Sequence, residues 1–176
     1  LEDLSMKYLE PVTYRNIAKK LAESKSKRAK YINEFIKPIK EVLTDEGLNV
    51  NIYGRPKSIA SIWHKMKNKQ IEFEDVYDLF AIRIVVDAPE DNEKSDCWKI
   101  YSMLTDFYTP SPDRLRDWIS TPKSNGYEAL HVTVMGPFGK WVEVQIRSKR
   151  MEELAEKGLA AHWKYKEGNK NNLCPV

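Results

Sequence analysis

The chain has 176 residues and a formal net charge of +3, long enough for one domain with a sizeable core and too balanced for a histone-like polycation. Its two cysteines, Cys97 and Cys174, lie far apart, form no metal-type pair and suit a reducing compartment. No apolar run is long enough to span a membrane and no signal-peptide pattern opens the chain, so the expectation is a soluble cytoplasmic protein without a membrane partner.

Charge is spread unevenly. Residues 13–69 hold fourteen Lys or Arg against five Asp or Glu, which favours an anionic partner, nucleotide or nucleic acid, on the N-terminal part. Leu4, Tyr8, Val12 and Ile17 belong to one or two short helices, with Pro11 at a boundary or first turn. A long helical pattern follows over residues 23–45, apolar at Tyr31, Ile32, Phe35, Ile36, Ile39, Val42 and Leu43. Pro38 is expected to kink it, and Gly47 suits its C-terminal cap. Its lysines read as a solvated face, ahead of a nucleic-acid surface.

Residues 52–66 (Ile-Tyr-Gly-Arg-Pro-Lys-Ser-Ile-Ala-Ser-Ile-Trp-His-Lys-Met) are the densest stretch. A β-prone run breaks at Gly54 and gives way to helical spacing at Ile59, Ile62, Trp63 and Met66. Pro56 suits the first turn of that helix, and Ser58, Ser61 and Lys65 follow one another along one face. Arg55 and Lys57 would sit at the helix mouth, where free amides and the dipole favour an anion. The stretch reads either as a polyphosphate cradle, distinct from the P-loop, or as an ordinary amphipathic helix with a basic face.

From Leu79 to Val86 the chain is nearly continuously apolar, as in a central strand covered on both faces. Asp78 and Arg83 interrupt the region. They either neutralise each other or cap a neighbour, or they serve a site in which Asp78 holds a divalent metal and Arg83 meets substrate. Both can serve one site only if Asp78 lies in the turn before the strand.

Residues 91–107 read as a helix on the sheet, and 108–125 as a long Pro- and Ser-rich loop. Within it, Ser124-Asn125-Gly126 is an ordinary turn signal, or part of a grip on a base and its phosphates. A hairpin follows, residues 130–135 pairing with 140–147 across Gly136-Pro-Phe-Gly139. Its second strand puts Val142, Val144 and Ile146 on one face and Trp141, Glu143, Gln145 and Arg147 on the other, a face too polar for a core. Ser148 would cap a last helix carrying Met151, Leu154, Ala155, Leu159 and His162. The order predicts an α+β fold, a mixed sheet flanked by helices.

These segments together resemble the synthetase domain of RelA/SpoT-type stringent-response enzymes. The resemblance rests on the 52–58 stretch through His64-Lys-Met66, on Tyr77-Asp-Leu-Phe-Ala-Ile-Arg83, and on Pro122-Lys-Ser-Asn-Gly-Tyr127 with Leu130-His131. It continues through Val142-Glu-Val-Gln-Ile-Arg147 and Ala160-Ala-His-Trp-Lys-Tyr-Lys166. It implies a nucleotidyltransferase-like fold and transfer of pyrophosphate from ATP to the ribose 3′-hydroxyl of GDP or GTP, giving (p)ppGpp and AMP. Residues 25–167 would form the synthetase domain, 1–24 linker helices from an upstream domain, and 168–176 a tail. By the resemblance, Arg55 and Arg83 sandwich adenine, and Lys57, Ser61 and Lys65 hold the ATP phosphates. Asp78 and Glu143 bind Mg²⁺, with Mn²⁺ an alternative, and Glu143 also takes the proton of the attacking hydroxyl. Tyr127 stacks on guanine, while Lys123, Asn125, His131 and Gln145 shape that pocket. His131 and His162 read as structural or pocket hydrogen-bond partners ahead of catalytic bases.

Arg114-Leu-Arg116-Asp117 resembles the R-x-K-D pattern of bifunctional members, with Arg116 in place of lysine, so the chain reads as the synthetase piece of a long bifunctional enzyme. Ribosome or RNA contacts would then belong to other regions of that protein. The alternative is a non-catalytic nucleotide- or RNA-binding module on the same fold. Against it, two acids have no purpose in a polyanion binder unless a metal intervenes.

Overall fold

The computed structural model describes residues 2–76 and 78–157. Tyr77, the 160–166 motif with His162, Leu159, Cys174 and the tail lie outside the described residues.

Five strands form one mixed sheet in the order β1-β2-β5-β4-β3, with β1 spanning Val50–Pro56, β2 Phe80–Val86, β3 Arg116–Asp117, β4 Leu130–Met135 and β5 Trp141–Ser148. The β2–β5 pair is parallel and the other pairs are antiparallel. Alternation along β4 and β5 divides the sheet into two chemically different faces. Leu130, Val132, Val134, Val142, Val144 and Ile146 point to one side and are buried there with Ile82, Ile84 and Val86 of β2. Two helices cover this face, α3 (Lys25–Asp45) with Phe35, Ile39 and Leu43, and α5 (Glu93–Phe107) with Cys97, Ile100 and Leu104. Each such side chain contributes roughly 1.5–3 kcal/mol on burial, so this face supplies most of the cohesion. The other face carries Glu143, Gln145, Arg83 and His131, and its chemistry is polar.

The N-terminal pattern forms α1 (Glu2–Leu9) and α2 (Pro11–Glu23), with Pro11 at the first position of α2. Met6 and Ile17 are their buried residues, whereas Leu4, Tyr8 and Val12 stay exposed. With Ala60 and Ile62 of α4 (Ile59–Lys69), and with Phe73 and Val76, they make a second, smaller core. The helix α3 runs through Pro38 as one element and ends ahead of Gly47, whose φ of +76° gives it the left-handed conformation expected of a cap.

Three expectations change. Gly54 does not break the first strand: β1 continues to Pro56, pairing Gly54 with Ile82 and Pro56 with Phe80. Glycine is needed there because α3 packs directly on the backbone; a Cβ at Gly54 would fall 2.5 Å from Ile32 Cδ1 and about 3 Å from two further atoms of that side chain. Pro56 therefore ends a strand at the sheet edge and takes no place in the following helix, which starts at Ile59 with Ser58 as its N-cap. The 108–125 segment is also more ordered than a plain loop. Arg116 and Asp117 pair with His131 and Leu130 as a short edge strand, and Pro110 bridges to Val134.

The last described helix, α6 (Lys149–Lys157), starts on Ser148, whose Oγ accepts from the Met151 N–H at 3.2 Å and donates to buried Glu93 at 2.6 Å. Glu93 also accepts two bonds from Arg150, at 2.8 and 2.7 Å, fastening the start of α6 to the start of α5.

Candidate active site

The polar face is set by strand register. Ala81 lies opposite Glu143, and Arg83 lies between Tyr53 of β1 and Gln145 of β5. On β4, His131 and Thr133 stand opposite Gln145 and Glu143. Asp78 sits just before β2, in the turn that its participation requires. It is paired with neither Arg83 nor a helix end.

Lys57, in the short link between β1 and α4, joins the two acids. Its Nζ lies 2.7 Å from Asp78 Oδ2 and 3.3 Å from Glu143 Oε2. Lys65, one turn into α4 from Ser61, contacts the other oxygen of Asp78. Gln145 Nε2 donates to Glu143 Oε1 at 2.8 Å, and Arg83 Nε reaches Gln145 Oε1 at 3.4 Å. A continuous polar line thus runs from Lys65 through Asp78, Lys57, Glu143 and Gln145 to Arg83. Burial works against both carboxylate charges, but bonds from Lys57 and Lys65 hold Asp78 below its ordinary pKa. The Gln145 bond and the Lys57 charge do the same for Glu143. Burial likewise opposes the charge on Lys57, and its two carboxylates more than offset it, raising the pKa. Both acids are therefore ionised at neutral pH. A cavity of about 470 Å³ opens above them, walled by Lys65, Asp78, Glu143, Thr133, Trp141 and Arg114.

On one flank Arg55 and Arg83 share a carboxylate. Glu156 Oε1 accepts from Arg55 Nη1 at 3.0 Å and from Arg83 Nη1 at 2.8 Å. Glu152, one turn earlier on α6, accepts from Arg83 at 2.8 Å and from the Tyr53 hydroxyl at 2.7 Å. On the other flank the Tyr127 hydroxyl and His131 Nε2 are 2.7 Å apart, and His131 Nδ1 faces Glu143 Oε1 at 3.9 Å. Burial lowers the His131 pKa to about 4, so the ring is neutral. Lys123 lies over the rings of Trp118 and Tyr127, at 4.8 and 5.2 Å from the centroids. Asn125 closes the turn, its Oδ1 accepting from the Tyr127 N–H at 3.1 Å, and Gly126 takes φ +77°. The Asn-Gly pair thus performs its turn duty and presents Tyr127 as well.

The expected helix-mouth cradle is corrected. The first amides of α4 are not free: Asp3 of α1 accepts from the Ile59 N–H at 3.2 Å and the Ala60 N–H at 2.8 Å, and Ser58 Oγ accepts from the Ser61 N–H. Asp3 neutralises the positive end of the helix dipole itself. Arg55 belongs to β1; the cations that line the cavity are Lys65, Lys69 and Arg114, while Lys57 stands between the two carboxylates in its wall. Ser61 is exposed, its hydroxyl bonded to that of Ser58 at 2.7 Å.

Of the motif at 114–117, only Arg114 lines the cavity. Arg116 donates to the carbonyls of Asp113 and Leu115, and Asp117 accepts from the N–H groups of Ile119 and Ser120. These two shape the loop.

Sequence reasoning gave no site role to three side chains here, one of which, Arg147, it had placed on the polar face. Arg147 is fully buried, lies 5.4 Å from the Tyr127 ring centroid, and donates to Gln145 at 2.5 Å. It also sits 3.2 Å from Glu152 Oε2, without the alignment of a hydrogen bond. Glu152 and Glu156 are the others. Their spacing of four on a helix whose buried residues are Met151 and Leu154 was the available signal, since it puts two acids on one face.

The fold is thus an α+β domain whose mixed sheet has one polar face, with two ionised carboxylates bridged by a lysine and flanked by arginines and a tyrosine. Residues 54–170 match the family described as a region found in RelA/SpoT proteins, and the chain belongs to that family. It is 44% identical over 168 residues to the GTP pyrophosphokinase of Escherichia coli strain K12. It is 41% identical over 175 residues to the guanosine-3′,5′-bis(diphosphate) 3′-pyrophosphohydrolase of Spiroplasma citri. These alignments take in 96% and 99% of this chain but only 22% and 23% of the two relatives' length. The small alarmone synthetase 1 of Bacillus subtilis superposes with a TM-score of 0.55 at 25% identity, over 89% of this chain and 85% of that one. Small alarmone synthetase 2 from the same organism gives 0.58 at 24% identity, over 84% and 80% respectively, a likeness of fold. Among the described residues, no helix is long and apolar enough to cross a membrane.

Proposed function

We propose that this chain is a (p)ppGpp synthetase domain, moving the β,γ-pyrophosphoryl group of ATP onto the 3′-oxygen of GDP or GTP. The observation that carries the reading is the Asp78–Lys57–Glu143 cluster on the polar sheet face, flanked by two arginines on one side and Tyr127 with Lys123 on the other. The names of the E. coli and Spiroplasma relatives support the same substrate class.

In this reading Arg55 and Arg83 take adenine between their guanidinium planes, and Lys57, Ser61 and Lys65 receive the phosphates. Tyr127 offers its ring to guanine, with Lys123, Asn125, His131 and Gln145 around it. Arg147 beneath Tyr127 holds that platform. The 3′-oxygen attacks the β-phosphorus, the bond from that phosphorus to the α,β-bridging oxygen breaks, and AMP departs with the oxygen. Glu143, ionised at neutral pH, accepts the hydroxyl proton. Neutral His131 shares a hydrogen bond with the Tyr127 hydroxyl and fixes the ring without becoming a second base.

The carboxylates also fit a divalent ion. A lysine ammonium already stands within 2.7 and 3.3 Å of both, and an all-oxygen donor pair suits hard Mg²⁺ or Mn²⁺. When bound, such an ion neutralises charge on the transferred group.

Residues 114–117 carry a further part of the proposal, that the parent protein is bifunctional; Arg114, in the cavity wall, is the member positioned to meet substrate. The test of the reaction is ATP labelled separately at the β and γ positions, incubated with GDP and Mg²⁺. Both labels entering one guanosine product, with unlabelled AMP in equal amount, is the expected result. Transfer of the γ label alone would refute pyrophosphoryl transfer.

A further inference from the structure

Tyr127 and the residue after it are held by different parts of the fold. Tyr127 turns its hydroxyl to His131 on the polar face, whereas the Glu128 carboxylate accepts from Nη2 of Arg150, in the first turn of α6, at 2.7 Å. Arg150 is itself fixed. Its Nε and Nη2 both donate to Oε2 of buried Glu93, whose other oxygen accepts from Ser148 Oγ at 2.6 Å. Ser148, Glu93 and Arg150 therefore fasten the starts of α5 and α6 to each other without help from Glu128, and offer the loop one guanidinium nitrogen already in place. The turn around Tyr127 has no such anchor of its own. The Asn125 Oδ1 bond to the Tyr127 N–H and the Lys123 N–H bond to the Tyr127 carbonyl close the loop on itself. His131 and Arg147 act on the ring. The Glu128–Arg150 bond ties the backbone beneath that ring to the α5–α6 junction.

We propose that Glu128 is a positioning residue for the acceptor guanosine: through Arg150 it sets where Tyr127 offers its ring, without touching either nucleotide. This role rests on Tyr127 being the guanine platform. Removing the Glu128 carboxylate leaves the Glu93–Arg150 pair and the Ser148 bond intact, so the junction survives while the loop loses its tether. The cost then falls on the guanosine flank. The adenine flank keeps its frame, because Glu152 and Glu156, further along α6, hold Arg83 and Arg55 independently of Glu128.

The test compares Glu128→Ala, Glu128→Gln and Tyr127→Leu with the parent chain, by calorimetry with GDP and with a non-hydrolysable ATP analogue, and by steady-state turnover. In Glu128→Ala the Kd and KM for GDP should rise roughly 5–10-fold, while kcat and the affinity for the ATP analogue stay within about twofold of the parent. Glu128→Gln, whose amide oxygen can still accept from Arg150 Nη2, should recover most of the GDP affinity. Tyr127→Leu should weaken GDP binding as well. Parent-like GDP affinity in Glu128→Ala, beside a weakened Tyr127→Leu, would overturn the positioning role and leave the acceptor site standing. A loss in Glu128→Ala shared equally by GDP and the ATP analogue would show general loosening of the fold and would overturn it too. Undiminished GDP binding by Tyr127→Leu would overturn the reading of the acceptor site itself, and the role of Glu128 with it.

Discussion

Replacing Glu156 by glutamine is expected to tighten ATP binding. Glu156 ties together the two guanidinium groups between which adenine is proposed to lie, so the nucleotide must first displace a carboxylate. The Arg55–Glu156 pair is half-exposed on both sides and is worth a few tenths to 1 kcal/mol. Arg83 is only 8% exposed, so its bond to Glu156 is worth more, about 1 kcal/mol, although Glu152 remains to hold it. Release therefore costs about 1–2 kcal/mol, and the glutamine variant should bind a non-hydrolysable ATP analogue roughly 5–30-fold more tightly. Calorimetry at two ionic strengths measures it, and the gain should shrink at higher salt. Unchanged or weaker binding would refute the reasoning, and would mean that Glu156 holds the arginines in the geometry adenine needs.

Other predictions concern the frame of the site. Arg147→Ala should destabilise the fold by about 3–5 kcal/mol in denaturant unfolding, because it strands part of Glu152. Lysine at that position should not restore it, lacking the forked donors that reach Gln145 and Glu152 together. Gly54→Ala should cost roughly 1–3 kcal/mol, since Ile32 must leave its place on β1, and paired replacement with Ile32→Val should recover part of the loss. In the metal-free chain, NMR titration should give His131 a pKa near 4. Its folded value lies below its ordinary one, so the stability it contributes is complete above pH 6.5 and is lost as pH falls toward 4, up to roughly 2–3 kcal/mol. A value near 6.5 would show the ring to be open to water.

The polar and apolar faces were legible because β5 alternates without interruption: Val142, Val144 and Ile146 could only face a core, which left Glu143, Gln145 and Arg147 together. Asp78 was legible as a residue that needs a partner, and its place in the turn before β2 is what its five-residue offset from Arg83 demanded. The edge strand at Arg116 and Asp117 left no trace, since two charged residues carry no periodicity and their pairing is decided by β4. Pro56 misled because a proline before a helical pattern is equally at home at a sheet edge, where its missing amide also costs nothing. Asp3 could not be placed from sequence at all. It caps a helix more than fifty residues downstream, and only the packing of α1 on α4 brings it there. Glu156 was hidden for the same reason, being an ordinary helix-surface acid until α6 lies beside two arginines.

The central claim is that Asp78 and Glu143 form the reacting centre of a pyrophosphoryl transfer. The direct measurement is guanosine product and AMP formed from ATP and GDP with Mg²⁺ by the parent chain, by Asp78→Asn and by Glu143→Gln, each variant first shown to keep the parent's unfolding midpoint within a few degrees. Equimolar products from the parent, with loss of at least 10²–10³-fold in both variants, is the result predicted. Turnover in either variant close to that of the parent would contradict the account.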